Sequence, residues 1–250
     1  MNKNLLLTIG YSSLADRVKN IKFLEDVNNL VVIQNPESLL VPDLQPEVKV
    51  IKLGSRGVTK SRNAVLENTS SRYLLFGDDD ITFNESGINE AISYLEAHPE
   101  IAILLMQAVD ENGKLRKFYP KSAHSLKLTN SAKAATYEIM VRTESIKSAG
   151  IKFDENFGAG AKNYLGDEYI FIADALRAGL KGAFRPIVIA IHPSESSGNL
   201  RNSSEDISAR SKIFTRVFGI WAVPMRFAFI LRRPIKELGI LNTIRFVLGK

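Results

Sequence analysis

The chain has 250 residues, 45% of them hydrophobic and 24% charged, which suits a folded globular protein with a core of its own. It has no cysteine, so disulfides, thiolate zinc sites and a cysteine nucleophile are excluded together. Its net charge of +6 is uneven: residues 201–250 carry 10 Lys/Arg against 3 Asp/Glu, whereas residues 1–200 carry 23 against 24. That distribution argues against a nucleic-acid binder and for one basic end that meets an anionic surface.

Short apolar runs alternate with helical patterns, the signature of an α/β protein with a mostly parallel sheet. Leu5–Ile9 predicts a first strand, and the polar turn after it argues against a signal peptide. A helix over Ser13–Lys19 follows, with Ser13 as its cap. Leu30–Ile33, closed by Asn35-Pro36, and Val48–Leu53 predict the next two strands. Thr59–Asn68 predicts a helix after the turn Gly54–Gly57. Tyr73–Phe76 is a fourth strand, Glu85–Ala97 a helix and Ile101–Ala108 another strand. Asn112-Gly113 marks a turn. Glu138–Val141 predicts a strand and Glu144–Ser148 a helix. Phe153–Gly166 reads as a loop and Asp167–Ala178 as a helix stopped by Gly179. Pro186–Ile191 is a late strand, followed by a Ser-rich loop over His192–Asn202. No run of about 20 apolar residues predicts a membrane-spanning helix. The organisation expected is a catalytic domain over residues 1–203 and a basic, aromatic, helical appendage over residues 204–250.

Four segments carry chemistry. Asp78-Asp79-Asp80 follows the strand YLLFG, and ligands of open α/β sheets bind beyond the carboxyl ends of strands. Adjacent carboxylates repel unless something compensates, and a hard divalent cation does so. Asp78 and Asp80 are the candidate ligands of Mg²⁺ or Mn²⁺, and Asp79 the candidate for a ribose hydroxyl. A solvated acidic turn is the other reading of the triplet. Ser55–Asn63, SRGVTKSRN, brings Arg56, Lys60 and Arg62 to a helix start, which suits a diphosphate but also an ordinary surface. Gly158–Glu168, GAGAKNYLGDE, delivers Asp167 and Glu168 to a helix start. A carboxylate there could accept a proton from a hydroxyl, although the helix dipole favours acids there in any case. His192 ends the strand IVIAI and is a candidate metal ligand through its neutral imidazole, or a plain loop histidine. Tyr11, after the first strand, and Gln34-Asn35, after the second, are candidates for the nucleobase pocket by location.

In their order SRGVTKSRN, YLLFGDDD, FDENFGAGAKNYLGDEYIFIADALRAGL and IHPSESSG, these segments resemble the inverting GT-A glycosyltransferases of the family 2 type, over roughly residues 4–200. The resemblance implies a nucleotide-diphosphate sugar donor and a cation, Mn²⁺ or Mg²⁺, on the Asp triplet with His192 completing the metal site. It implies a catalytic base at the second acid of the pair. That maps to Glu168, with Asp167 as the alternative because the common pair is Glu-Asp. The acceptor implied is a saccharide, lipid-linked, in bacterial surface polysaccharide synthesis. A nucleotidyltransferase is disfavoured because TIGYSSLADR has one glycine where a phosphate loop is expected. A non-catalytic module binding saccharide or a membrane surface is the remaining alternative. From Lys212 onward, Phe214, Phe218, Trp221 and Met225 recur at helical spacing among basic residues, broken by Pro224 and Pro234. That pattern predicts peripheral binding to an anionic membrane, at the cytoplasmic face. Packing on the catalytic domain or in a homo-oligomer seam is the alternative.

Overall fold

The computed structural model describes residues 6–35, 37–193, 204–232 and 239–249. Nine strands among them form one sheet. They are β1 (Leu7–Leu14), β2 (Asn28–Gln34), β3 (Lys49–Leu53), β4 (Tyr73–Asp78), β5 (Thr82–Phe83), β6 (Ile101–Val109), β7 (His124–Ser125), β8 (Ile139–Arg142) and β9 (Lys181–Ile191). Their order is β3-β2-β1-β4-β8-β6-β9-β5, with β7 on β9. The helices are α1 (Val58–Asn68), α2 (Glu85–Ala97), α3 (Thr143–Ser148), α4 (Asp167–Arg177), α5 (Ser204–Phe218), α6 (Ala222–Leu231) and α7 (Ile240–Leu248). The fold is α/β with flanking helices, as expected, but the sheet is mixed rather than mostly parallel. β3, β2, β1 and β4 are parallel neighbours, as are β6 and β9, whereas β8 is antiparallel to both β4 and β6. The reason lies between β6 and β8. Residues 110–138 contain no crossover helix to carry the chain back to the other end of the sheet, so β8 starts where β6 ends and must run the opposite way.

Both faces of the sheet are buried, and the alternation of side chains sorts them. Leu7, Ile9, Tyr11, Tyr73 and Leu75 face one core with Ile88, Ala91 and Leu95 of α2. Leu30, Val32, Leu74 and Phe76 face the other, with Val65 and Leu66 of α1 and Phe171 and Ile172 of α4. These near-continuous apolar runs are what a doubly covered sheet requires.

The expected helix over Ser13–Lys19 does not form. β1 continues to Leu14, and only a 3-10 turn over Val18–Asn20 follows. Ser13 is a buried strand residue whose Oγ donates to Asp79, so it does not cap a helix. Leu5 and Pro36 of the expected strand boundaries, most of the Ser-rich loop and Pro234 lie outside the described residues.

The C-terminal segment was expected to break into pieces too short to span a bilayer. It does break: although Asp206–Leu231 is long and apolar enough to cross a membrane by length and composition, the chain turns at Gly219, which takes φ 53°, and α6 folds back on α5, with Arg226 donating to the Ser211 carbonyl at 2.9 Å. The break falls at Gly219 rather than at Pro224, which sits in the first turn of α6, where no backbone N–H is needed. One side of α5 is nevertheless taken. Ile213 and Val217 pack on Tyr169, Ile170 and Ala173 of α4. Arg216 bridges Asp154 at 2.8 Å and Asp174 at 2.6 Å. Phe214 closes an aromatic cluster with Phe229 and Phe246. Ile220 and Trp221 in the turn, and Val223, Phe227 and Leu231 on α6, face outward.

Candidate active site

The carboxyl ends of β1, β2 and β4 come together on one rim of the sheet because these strands are parallel neighbours. β4 runs into Asp78, paired in register with Ser12, and the chain then turns through Asp79 and Asp80. β5 follows at once and pairs antiparallel with β9, Thr82 opposite Ile191. That pairing sets His192 beside the triplet.

The three aspartates have different surroundings. Asp79 is buried, accepts from Ser13 Oγ at 2.9 Å and pairs with Arg17 Nη2 at 2.5 Å. Burial pushes its carboxyl up to about 6, against the pull of Ser13 and Arg17. With both oxygens engaged inside the protein, Asp79 does not present itself to a ribose, which corrects the expectation for it. Asp80 is exposed and lies 3.4 Å from Arg17 Nη2 and 3.8 Å from His192 Nε2. Asp78 pairs with Arg62 Nη2 at 3.3 Å. Its carboxyl is raised above the usual range by burial first, with Asp80 and Glu168 adding repulsion against the pull of Arg62.

Arg62 is the hub. It extends from α1 into the interior, where it pairs with Asp167, with Asp78, and with Glu168 at 3.6 Å. Burial alone would lower its pKa, but the three carboxylates outweigh that and raise it. The next residue, Asn63, donates to the Phe153 carbonyl at 3.0 Å and accepts from the Phe153 N–H at 2.8 Å. That reciprocal pair fixes α1 against the segment leading to the glycine-rich loop. The loop is docked rather than open: Val58 N–H donates to the Ala159 carbonyl at 3.0 Å. Gly158 adopts φ 95°, and a Cβ there would lie 2.9 Å from Asp167 Cγ, so the loop can pass this close only as glycine.

The acid pair divides by exposure. The Asp167 side chain is 4% exposed and held by Arg62. Its carboxyl is raised, chiefly by burial and then by Glu168. The Glu168 side chain is 23% exposed and accepts from Thr136 Oγ1 at 2.8 Å. Of the two, Glu168 is oriented by a neutral donor and still reachable by a substrate.

His192 is oriented as a ligand would be. Its Nδ1 lies 2.8 Å from the Pro193 carbonyl oxygen, which can only accept. Nδ1 therefore carries the proton, leaving a free lone pair on Nε2 towards Asp80. The ring tilts on Tyr137, centroids 5.2 Å apart. Among the described residues no group of three His, Asp or Glu side chains forms a ready-made metal cage. Asp80 and His192 thus fit a hard cation that takes its other ligands from water and phosphate oxygens, the usual habit of Mg²⁺.

Not every candidate joins this cluster. Tyr11 is fully buried against Phe23 and Phe83, with its hydroxyl on the Lys22 carbonyl, so it is a core residue. Arg56, with a 60% exposed side chain, pairs with Glu37 at 2.6 Å instead. Lys60 is exposed on α1. Gln34 supports the backbone, its Oε1 accepting from Gly57 N–H at 2.8 Å. Asn35 braces its own turn by bonding both ways with Leu39. Sequence reasoning missed Arg17, Ser13, Thr136 and Tyr137. Arg17 carried a usable signal, since it follows the first strand at the point where β1 has parallel neighbours on both sides.

Residues 37–154, just under half of the chain, match the glycosyl transferase family 2 model. That span includes Arg62 and Asp78–Asp80 and ends before Asp167, Glu168 and His192. No curated protein matches the chain by sequence. Among solved structures, S. aureus TarS residues 1–349 in complex with UDP-GlcNAc is similar with a TM-score of 0.61 at 14% identity, over 98% of this chain and 79% of that one. A longer S. aureus TarS structure is similar with a TM-score of 0.56 at 13% identity, over 98% of this chain and 55% of that one. The mannosyltransferase PcManGT from Pyrobaculum calidifontis, in complex with GDP-Man and Mn2+, is similar with a TM-score of 0.56 at 13% identity, over 96% and 69%. At these identities the likeness is one of fold.

Proposed function

We propose that the chain is a glycosyltransferase that moves a sugar, with inversion, from a nucleotide-diphosphate donor to a saccharide hydroxyl, a reading supported by the glycosyl transferase family 2 segment and by the similarity in fold to nucleotide-sugar-bound structures. The observation that supports this best is the convergence of Asp78, Asp80, Arg17, Arg62, Glu168 and His192 on one rim of the sheet. Five carboxylates, Asp78, Asp79, Asp80, Asp167 and Glu168, gather here around two arginines, Arg17 and Arg62. The excess negative charge calls for a cation. Asp80 and His192 would hold it, with Asp78 behind them, and Mn²⁺ or Mg²⁺ there would neutralise charge on the departing diphosphate.

The residues of the chain do the rest. Arg17, half exposed and anchored by Asp79, reaches over the triplet to the donor's phosphates. Arg62, fixed by Asp167, holds Asp78 and Glu168 in one frame. Glu168 takes the proton from the acceptor hydroxyl. The resulting oxygen attacks the anomeric carbon while the bond to the diphosphate oxygen breaks on the far side, and the diphosphate leaves with the electron pair. One displacement with one base inverts the anomeric centre. Glu168 suits this role better than Asp167, which is buried and already engaged.

The setting proposed is the cytoplasmic face of an anionic membrane, with a lipid-linked saccharide as acceptor in bacterial surface polysaccharide synthesis. The outward apolar strip Ile220, Trp221, Phe227 and Leu231, within a segment of basic surplus, supports lying at a lipid interface. Hydrolysis of UDP-GlcNAc and GDP-mannose by the purified chain tests the reaction. We expect nucleoside diphosphate release from one donor with Mn²⁺ and at least tenfold less with EDTA. No release from any donor of a wider sugar-nucleotide panel, or equal release with EDTA, would overturn the reading.

A further inference from the structure

Against Glu168 lies a cavity of about 810 Å³ whose lining does not include Asp78 or Asp80. Its volume is that of a site for a ligand of substantial size. One wall belongs to the catalytic part of the chain, with Phe118, Leu126 and Phe184. The other belongs to the C-terminal helices, with Phe214, Met225 and Phe229. Glu168 and Gly166 stand on its lining, so the cavity begins at the carboxylate that faces the acceptor.

The same lining also carries polar side chains, among them Asn130, Lys133, Glu138 and Arg210, so it suits a molecule with both a polar and an apolar part better than a sugar alone. Saccharide hydroxyls need many hydrogen-bond partners, and burying them against Leu, Met and Phe leaves them unpaired. An apolar chain or ring has the opposite preference. We propose that this cavity binds the apolar part of an amphiphilic acceptor, placing its hydroxyl-bearing head at Glu168, so that the C-terminal helices build the acceptor site as well as docking on the domain. This rests on the reading of Glu168 as the base, but the cavity's preference is measurable without turnover.

Decyl β-maltoside below its micelle concentration and maltose serve as probes, with binding read by calorimetry. Ala228 and Ala132 line opposite walls and are exposed, so a large side chain at either fills the cavity without disturbing the packed core. We expect the decyl glycoside to bind wild-type protein at least tenfold more tightly than maltose. Ala228→Trp and Ala132→Trp should each remove most of that advantage. Trp221→Ser, on the outward strip, should keep it. Equal binding of the two glycosides, or wild-type decyl binding by both filled variants, would overturn the proposal, as would loss of the advantage in Trp221→Ser alone. Binding of UDP or GDP with Mn²⁺, run in parallel, reports the donor site separately. Its absence beside intact decyl binding would count against the donor reading and leave the cavity assignment standing.

Discussion

Asp167 and Glu168 are neighbours of nearly the same chemistry, and their surroundings give them different work. Arg62 engages Asp167 in the interior, while Glu168 keeps an open side and a neutral hydrogen bond from Thr136. Glu168→Gln should therefore bind donor as the wild type does and lose about 10²–10⁴-fold in turnover, the range for a general base. Asp167→Asn removes the most buried of the three carboxylates that hold the Arg62 guanidinium, so it should weaken donor binding and lower the melting temperature along with turnover. Donor titrations and initial rates on both variants separate the two roles. A selective turnover loss in Asp167→Asn, with Glu168→Gln near wild type, would reverse the assignment. The types and places of these acids were legible in the sequence, as were Asp78, Asp80, Arg62 and His192. Their division of labour was not, because exposure depends on what packs across them. Tyr11 shows the same limit: it sits at the right end of the right strand, but the alternation of side chains turns it into the core.

Elements with a strong period were readable, and elements made by their neighbours were not. The helix Glu85–Ala97 matches its expected bounds because its apolar stripe and the Asn84 cap agree, Asn84 Oδ1 accepting from Ser86 and Gly87 N–H. Within it Gly87 lies so close to β9 that a Cβ would sit 2.2 Å from the Val188 carbonyl oxygen. Gly87→Ala should cost about 1–3 kcal/mol by overpacking, despite alanine's better helix propensity. Urea unfolding measures this, and a variant as stable as wild type would refute the close packing of α2 on β9. By contrast, β5 and β7 have two residues each and exist only because β9 offers an edge to pair with. Ser13–Lys19 had helical composition, but continued pairing with β2 kept its first residues extended. The antiparallel entry of β8 was hidden for a related reason: direction follows from the missing crossover helix, not from the strand's own residues.

At the scale of the molecule, the basic tail is neither a free appendage nor an ordinary core element. Its inner side is fixed by Ile213, Val217 and Arg216, so removing the segment would strip apolar cover from α4. Substitution is the better probe of its outer side. Trp221→Ser with Phe227→Ser should reduce co-sedimentation with anionic vesicles severalfold at low salt while leaving the melting temperature within a few degrees, since both side chains are more than half exposed. Binding unchanged by the pair, or absent in the wild type, would show that this strip does not meet a membrane. The basic surplus and aromatic spacing made this surface visible in the sequence. The cavity on the tail's other side was not, because its walls come from segments about a hundred residues apart.

A cation-assisted site for a nucleotide-diphosphate sugar should show itself in thermal unfolding with UDP, GDP, dTDP, CDP and ADP, each with and without Mn²⁺. A diphosphate at about 100 times its Kd stabilises the fold by about 2.7 kcal/mol, a shift of several degrees for a chain of this size. Such a shift is expected for at least one diphosphate, dependent on Mn²⁺ and lost in Asp80→Asn. No shift with any of the five, or one that Asp80→Asn leaves intact without the metal, would contradict it.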